Sequence, residues 1–184
     1  MTIKFNNYSM WINKKHDYDF YDWCVFIDED INTINSIKLV EYTLHPTFPN
    51  PVRIIENRND CFALYSSGWG TFDLRIKVEL NNGSINALKY PLKLEFDDWP
   101  KTPAPDVFES DEIRSVYNIL IDEKHRWRKI DSIVKNSYLP EEIVLKILDY
   151  LKEKKLVRKA SYLSIDNKEL WGATSIVGIT PKPK

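Results

Sequence analysis

The 184-residue sequence is poor in the residues from which common catalytic and cofactor motifs are built. It contains five glycines, two cysteines and three histidines. No GxGxxG or GxxxxGK[ST] phosphate loop and no GxSxG nucleophile motif occurs, which disfavours nucleotide-binding folds and hydrolases of those kinds. The cysteines and histidines form no CxxC or HExxH pattern, so the sequence predicts no zinc site. We therefore expect a protein that is not an enzyme and that needs no metal or cofactor.

Long apolar runs are missing as well. No stretch approaches the roughly 18 consecutive apolar residues that a membrane-spanning helix requires. The N-terminal residues MTIKFNNYSMW lack the basic and then apolar layout of a signal peptide. Cys24 and Cys61 are too few for a disulfide framework, and a reducing compartment is the default for such a chain. The sequence therefore predicts a cytoplasmic protein that does not contact a membrane.

The composition is that of a folded protein with nearly balanced charge. Hydrophobic residues make up 43% of the chain and aromatic residues 13%, which is enough material for a packed core. The 26 basic and 27 acidic residues leave a net charge of −1. The charge of the whole chain therefore predicts no polyanionic partner.

The first half of the chain has the period of β-strands. Residues 73–80 alternate charged and apolar side chains, as a half-buried strand does. Residues 92–96 repeat that alternation, and Asn81–Ser84 between the two runs is a hairpin-turn signal. Further strand-like runs cover 3–12, 23–27, 37–44 and 52–55. Because no helical pattern lies among them, we predict an antiparallel sandwich of two sheets.

A proline-rich segment divides the chain near residue 100. Pro100, Pro103 and Pro105 fall within six residues, which indicates a stiff and extended linker. We predict a sandwich domain over residues 1–98, a linker over 99–108 and a second domain over 109–184.

The second domain has the pattern of three helices followed by a hairpin. Apolar residues share one face of each helix: Ile113, Val116, Tyr117 and Leu120, then Ile130, Ile133 and Val134, then Ile143, Val144, Ile147, Leu148 and Leu151. Two strand-like runs follow, over 156–165 and 170–179. This order, with the third-helix exit at 148–157, resembles the winged helix-turn-helix family, although Lys155 stands where that family often has glycine. The resemblance implies an α+β winged-helix domain over roughly 109–180.

Two segments of the first domain indicate a binding site. His45–Arg53 contains three of the ten prolines, and a central strand cannot tolerate them because each removes a backbone donor. In Ser66–Phe72, Gly68 and Gly70 flank Trp69, and glycine allows a sharp turn and a close approach. Both segments lie at predicted strand ends, where a sandwich carries its binding loops.

These segments resemble the YEATS domain family. Its hallmarks are H-x-[ST]-F-x-x-P-x-R, which stands here at His45–Arg53, and a later S/E-G-[WY]-G/A-x-F, which stands here at Ser67–Phe72. The upstream D-W-x-V-F strand motif stands at Asp22–Phe26. The resemblance covers residues 1–97. Because the familiar eukaryotic domain has no winged-helix extension, the chain looks like a prokaryotic YEATS-like relative fused to a winged helix.

The resemblance implies an immunoglobulin-like sandwich that recognises acylated lysine, especially acetyl- and crotonyl-lysine. Phe48 and Trp69 would enclose the planar acyl-amide, while the Thr47 hydroxyl and the Trp69 backbone N–H would hydrogen-bond it. The residues assigned to this acyl-lysine slot are His45, Thr47, Phe48, Gly68, Trp69, Gly70 and Phe72. In some members a further aromatic before the D-W motif lines the slot, and Tyr18 and Phe20 are both candidates. The implied partner is an acylated-lysine protein or peptide.

Two other functions stay open at this point. Phe48 and Trp69 could instead close one end of the sandwich, which would make the domain an interaction scaffold with a vestigial slot. Alternatively, the protein could be a DNA-binding regulator whose sandwich senses a small ligand.

The partner of the winged helix is also open between duplex DNA and a protein. Residues 1–100 hold 10 basic and 14 acidic residues, a net charge of −4, and residues 101–184 hold 16 and 13, a net charge of +3. The second domain is therefore only mildly basic. Glu141 and Glu142 begin the predicted recognition helix, where two carboxylates repel the phosphates of DNA.

Overall fold

The computed structural model describes residues 2–160 and 162–184, which form two compact units. The first unit runs to Trp99 and also includes Pro181–Lys184, and the second is Pro100–Thr180. The last four residues, which the sequence assigned to the second domain, are thus part of the first. Trp99 is not a linker residue either, because it is buried and its backbone N–H donates to the carbonyl oxygen of Ser9 at 3.0 Å. Among the described residues, no helix is long and apolar enough to cross a bilayer.

The first unit consists of two antiparallel sheets. Its elements are β1 (Phe5–Lys15), β2 (Tyr18–Ile27), α1 (Ile31–Ser36), β3 (Ile37–Thr43), β4 (Val52–Ile55), β5 (Leu64–Gly68), β6 (Asp73–Leu80) and β7 (Ile85–Pro91), with one 3-10 turn at Arg58–Asp60. The strand order is β1-β2-β5 in one sheet and β4-β3-β6-β7 in the other. Both sheets contribute to a single buried core, so the predicted antiparallel sandwich is confirmed.

Burial follows the alternation seen in the sequence. In β6, Leu74, Ile76 and Val78 are completely buried, while the charged residues between them are exposed. β2 lies between β1 and β5, and its residues 23–27 are buried on both faces. This is the environment that a central strand without polar residues requires.

Residues 92–96 do not form the predicted strand. The turn at 81–84 leads directly into β7, which pairs with β6 from Ile85 onwards. The run instead follows β1 through side-chain hydrogen bonds. Asn7 accepts from the N–H of Lys93 at 3.2 Å and donates to its carbonyl oxygen at 2.7 Å, and Ser9 makes the same two bonds with Glu95 at 2.7 Å each. Polar side chains of β1 thus make the hydrogen bonds that a neighbouring strand would otherwise make. Residues 92–96 therefore alternate apolar and charged side chains without forming a strand.

The second unit, as far as it is described, contains three longer helices, one short helix and a small sheet. Its elements are α2 (Asp111–Leu120), β8 (Arg128–Lys129), α3 (Ile130–Ser137), α4 (Glu141–Glu153), β9 (Val157–Lys159), β10 (Leu170–Ala173) and α5 (Thr174–Val177). The sheet order is β8-β10-β9, and the helices share a core with Trp171 and Ala173. The predicted strands 156–165 and 170–179 are much shorter than expected. Tyr162, Leu163 and Ile165, which follow β9, are exposed to solvent, and β10 ends where α5 begins.

Candidate binding site

The two motif loops enclose a cavity in the first unit. One loop joins β3 to β4 and carries residues 44–51, and the other joins β5 to β6 and carries residues 69–72. The cavity has a volume of about 520 Å³. All seven residues assigned from the sequence line it: His45, Thr47, Phe48, Gly68, Trp69, Gly70 and Phe72. The structure therefore brings the two motifs together at one place.

The first loop is a tight turn that fixes the Thr47 hydroxyl. The backbone N–H of Phe48 donates to the carbonyl oxygen of His45 at 3.0 Å, which closes the turn. His45 Nδ1 lies 2.9 Å from Thr47 Oγ1 and makes a longer contact of 3.4 Å with the Thr47 backbone nitrogen. Because a backbone N–H can only donate, we assign Nδ1 as the acceptor of both contacts. The Thr47 oxygen then keeps its lone pairs for a ligand N–H.

Two aromatic side chains border the cavity without filling it. Phe48 is half-buried and packs edge-to-face on Trp23, with ring centroids 6.3 Å apart, and lies 5.5 Å from Phe72. Trp69 is 55% exposed. Within residues 2–160 and 162–184, no ring contact joins Phe48 to Trp69. The space between them is therefore open to a ligand.

Gly68 and Gly70 both line the cavity. A Cβ atom added to Gly68 would lie 3.5 Å from Phe48 Cζ and 3.9 Å from the indole nitrogen of Trp23. A Cβ atom added to Gly70 would meet nothing within 4 Å. Neither glycine adopts a positive φ, so the expected sharp turn does not explain them. The distances at Gly68 are ordinary van der Waals contacts, so the packing requires glycine at neither position.

The tip of the β1–β2 hairpin lies beside the cavity and carries Tyr18 and Phe20, the two aromatic candidates between which the sequence did not decide. Phe20 lines the cavity, and Tyr18 packs against Trp69 with ring centroids 4.3 Å apart. Tyr18 and Phe20 are two residues apart on β2 and therefore point to the same face of the hairpin. Both aromatic candidates thus belong to the site. We call residues 13–20 the hairpin arm.

The lining of the cavity consists of aromatic, hydroxyl, imidazole, proline and glycine residues. Besides the seven assigned residues, its lining comprises Phe20, Pro49, Ser67 and Thr71. None of these is an aspartate, glutamate, lysine or arginine. In the part of the chain that the structure describes, no three His, Cys, Asp or Glu side chains are grouped as a metal site would need. The arrangement suits a flat, neutral group that offers hydrogen-bond donors and acceptors.

Comparison with known proteins agrees with the motif resemblance. Residues 21–93 match the family model of the prokaryotic YEATS domain. Two curated proteins that the chain resembles are transcription initiation factor TFIID subunit 14b of Arabidopsis thaliana and the AF-9 homologue of Saccharomyces cerevisiae. The first is 32% identical over 106 residues, covering 53% of this chain and 38% of the relative. The second is 47% identical over 60 residues, covering 30% of this chain and 25% of the relative.

The chain thus spans less than half the length of either curated relative. Among solved structures, the yeast AF-9 homologue Yaf9 is 32% identical, with a TM-score of 0.41, and the match covers 50% of this chain and 65% of that one. A structure of the Yaf9 YEATS domain bound to H3K27ac is also 32% identical, with a TM-score of 0.39, and covers 50% and 70% of the two chains.

Proposed function

We propose that the sandwich is a non-enzymatic reader that binds an acylated lysine, such as acetyl- or crotonyl-lysine, between Phe48 and Trp69. The observation that carries this proposal is one cavity that is lined by all seven assigned residues of the two motifs and by no aspartate, glutamate, lysine or arginine. The match of residues 21–93 to the prokaryotic YEATS domain supports it independently of the cavity.

The chemistry of an acylated lysine fits this cavity. Acylation removes the lysine charge and leaves a planar amide with one donor and one acceptor. Aromatic faces give such a group a large contact area at a small entropy cost. The Thr47 oxygen would accept from the amide N–H, and the Trp69 N–H, just beyond the end of β5 at Gly68, would donate to the acyl oxygen. Both polar atoms of a buried amide would then have partners.

The same cavity would reject an unmodified lysine. An ammonium group would enter a space whose lining has no carboxylate to pair with it. Removing a charge from water without a partner costs at least several kcal/mol. Selectivity for the acylated side chain would therefore come mainly from the penalty on the charged one.

A scaffold with a vestigial slot is the second candidate for the sandwich. That function predicts that Phe48 and Trp69 have collapsed into the gap between them. Instead Phe48 packs on Trp23 and Phe72, and Trp69 packs on Tyr18. The open gap favours the reader.

We also propose that the second unit is a winged helix that tethers the reader to a partner protein rather than to duplex DNA. The helices α2, α3 and α4, together with a β8-β10-β9 sheet whose first strand lies between α2 and α3, support the winged-helix assignment, with α4 as the recognition helix. The exposed charged residues of α4 are Glu141, Glu142, Asp149 and Glu153 against Lys146 and Lys152. This acidic face repels DNA.

A mobility-shift titration with duplex DNA across salt concentrations tests the tethering proposal. We expect no shift even at low salt. A shift whose midpoint moves steeply with salt would show phosphate contacts and would contradict a purely protein-docking role.

A peptide titration tests the reader. Acetyl-lysine, crotonyl-lysine and unmodified versions of one peptide are titrated by NMR into the wild type, Trp69→Ala and Tyr138→Ala. Tyr138 is the matched control because it is 93% exposed and lies in the second unit. We expect acyl-selective binding by the wild type and the control, and none by folded Trp69→Ala. Full binding by Trp69→Ala would show that the slot assignment is wrong.

A further inference from the structure

The hairpin arm places one cation beside the cavity. The ammonium nitrogen of Lys15 lies 5.8 Å from the centroid of the Phe20 ring, and Phe20 lines the cavity. Residues directly paired across antiparallel strands have their side chains on the same face. Lys15 pairs with Tyr18, and Phe20 pairs with Asn13. These four side chains therefore share the face of the arm that meets the cavity.

Asp19 is the acidic residue among the paired residues of the arm, and it lies on the face opposite the cavity. Asp19 pairs with Lys14, and its carboxylate accepts a 2.9 Å hydrogen bond from the Trp11 indole N–H. Trp11 in turn stacks on Phe96, with ring centroids 5.9 Å apart. Among the paired residues 13–15 and 18–20, Lys15 is thus the one charged residue on the cavity face.

A bulge and a ring stack at the base of the hairpin arm fix the direction in which the arm points. The register of β1 and β2 shifts between Trp11 and Asn13, which marks a bulge. A bulge increases the local twist and re-aims the side chains beyond it. Together with the Trp11–Phe96 stack, it turns the cavity face of the arm toward Trp69.

Lys15 lies at the mouth of the cavity rather than at its floor. Its cross-strand partner Tyr18 and the neighbouring Trp69 are 51% and 55% exposed. Phe48 and Phe72, in contrast, are mostly buried. A lysine that inserts its acyl group between the rings leaves its own backbone and its neighbouring residues at the mouth. Those neighbours come within reach of the Lys15 ammonium group.

We infer that Lys15 selects targets in which acidic residues flank the acylated lysine, a preference that rests on the proposed reader function. The cavity lining contains no aspartate, glutamate, lysine or arginine, and Lys15 is the charged residue that the paired part of the arm holds on the cavity face. Residues 1–100 carry a net charge of −4, which favours basic targets at long range. Salt screens that field beyond about 8–10 Å, whereas a flanking carboxylate would meet Lys15 at contact distance. An exposed ion pair of this kind changes affinity by about two- to fivefold.

The test uses three acetyl-lysine peptides that differ only in the residues on both sides of the modified lysine: glutamate, alanine or lysine. Each is titrated into the wild type, Lys15→Glu and Lys14→Glu. Lys14 is the matched control, since it is the adjacent lysine and lies on the opposite face of the arm. All three proteins should keep their fold because both lysines are exposed.

We expect the wild type to bind the glutamate peptide about two- to fivefold more tightly than the alanine peptide, and the lysine peptide least tightly. Lys15→Glu should reverse this order, and Lys14→Glu should keep it. Equal binding of all three peptides by the wild type overturns this inference and leaves the reader intact. A reversal in Lys14→Glu as large as in Lys15→Glu also overturns it. No binding of any acetylated peptide overturns the reader and this inference with it.

Discussion

Tyr18 packs against Trp69, with ring centroids 4.3 Å apart and 34° between the ring planes. This contact joins the hairpin arm to the loop between β5 and β6, two segments that lie some fifty residues apart in the sequence. The Trp69 ring therefore has a supporting ring on the arm while more than half of its surface stays exposed. A supported but exposed aromatic ring is suited to a ligand that stacks on it.

Loss of the Tyr18 ring should weaken acyl-lysine binding. An aromatic pair contributes about 0.5–1.5 kcal/mol beyond the area it buries, so Tyr18→Ala should lower the affinity about two- to tenfold. Because the same pair is present in the unbound protein, the free energy of unfolding should also fall, by no more than about 1.5 kcal/mol since Tyr18 is half exposed. Peptide titration by NMR measures the effect. Tyr18→Phe is the control and should bind as the wild type does; a weaker Tyr18→Phe would mean that the hydroxyl, rather than the ring, matters.

Removal of the Thr47 hydroxyl should weaken binding without affecting the fold. Thr47→Val keeps the shape of the side chain but leaves the ligand amide N–H without an acceptor, a loss of about 1–3 kcal/mol. This corresponds to roughly a five- to 140-fold loss of affinity. Thr47→Ser retains the hydroxyl and should retain most of the affinity. The account would be contradicted if valine and serine at this position bound the peptide equally well.

Alanine substitutions at Gly172 and Gly70 should have different effects on the free energy of unfolding. Gly172→Ala would place a Cβ atom 2.7 Å from the Val177 side chain and 2.9 Å from the backbone oxygen of Arg126. Overpacking of this kind costs about 1–3 kcal/mol of the free energy of unfolding. Gly70→Ala meets nothing within 4 Å and has no positive φ, so it should be neutral or stabilising by up to about 1 kcal/mol. Urea denaturation measures both, and a destabilised Gly70→Ala would show an unrecognised constraint at that turn.

The sandwich should lose stability in alkaline solution. Burial raises the pKa of the Cys61 thiol to about 11 and, helped by nearby acidic groups, that of the Tyr90 hydroxyl to about 12. In the unfolded chain these groups titrate near 8.5 and 10. The folded state therefore holds protons that the unfolded state has lost, and the stability that these groups contribute is fully present below about pH 8 and falls as the pH rises toward 11.

The free energy of unfolding measured in urea at pH 7.5, 9 and 10.5 checks this expectation. It should decrease over the series, and Cys61→Ala should decrease less steeply because one titrating group is gone. A flat profile for the wild type would contradict the assignment of protonated, buried groups.

The motif loops could be predicted because their residues restrict the backbone strongly. Three prolines exclude His45–Arg53 from a strand interior, and the spacing of Thr47, Phe48 and Trp69 matched a known pattern. The β6 strand was equally clear, since every second residue is buried. In these regions local preference and tertiary environment agree.

The hairpin arm could not be placed because its position depends on features that leave no clear pattern. The bulge between Trp11 and Asn13 changes which residues face the cavity. The turn of the arm uses positive φ angles at His16 and Asp17 without a glycine, so no turn signal marked it. The prediction of a strand at residues 92–96 was wrong for the converse reason. The alternation is genuine, but the side chains of Asn7 and Ser9, rather than a neighbouring strand, form the hydrogen bonds to the backbone of this segment.

Intermolecular NOEs between an isotope-labelled acetyl-lysine peptide and the protein test the central claim most directly. The account predicts NOEs from the acetyl methyl group to the rings of both Phe48 and Trp69, which line the same cavity. The unmodified peptide should give none. NOEs to another surface, or equal binding of the acetylated and unmodified peptides, would contradict an acyl-lysine slot at this end of the sandwich.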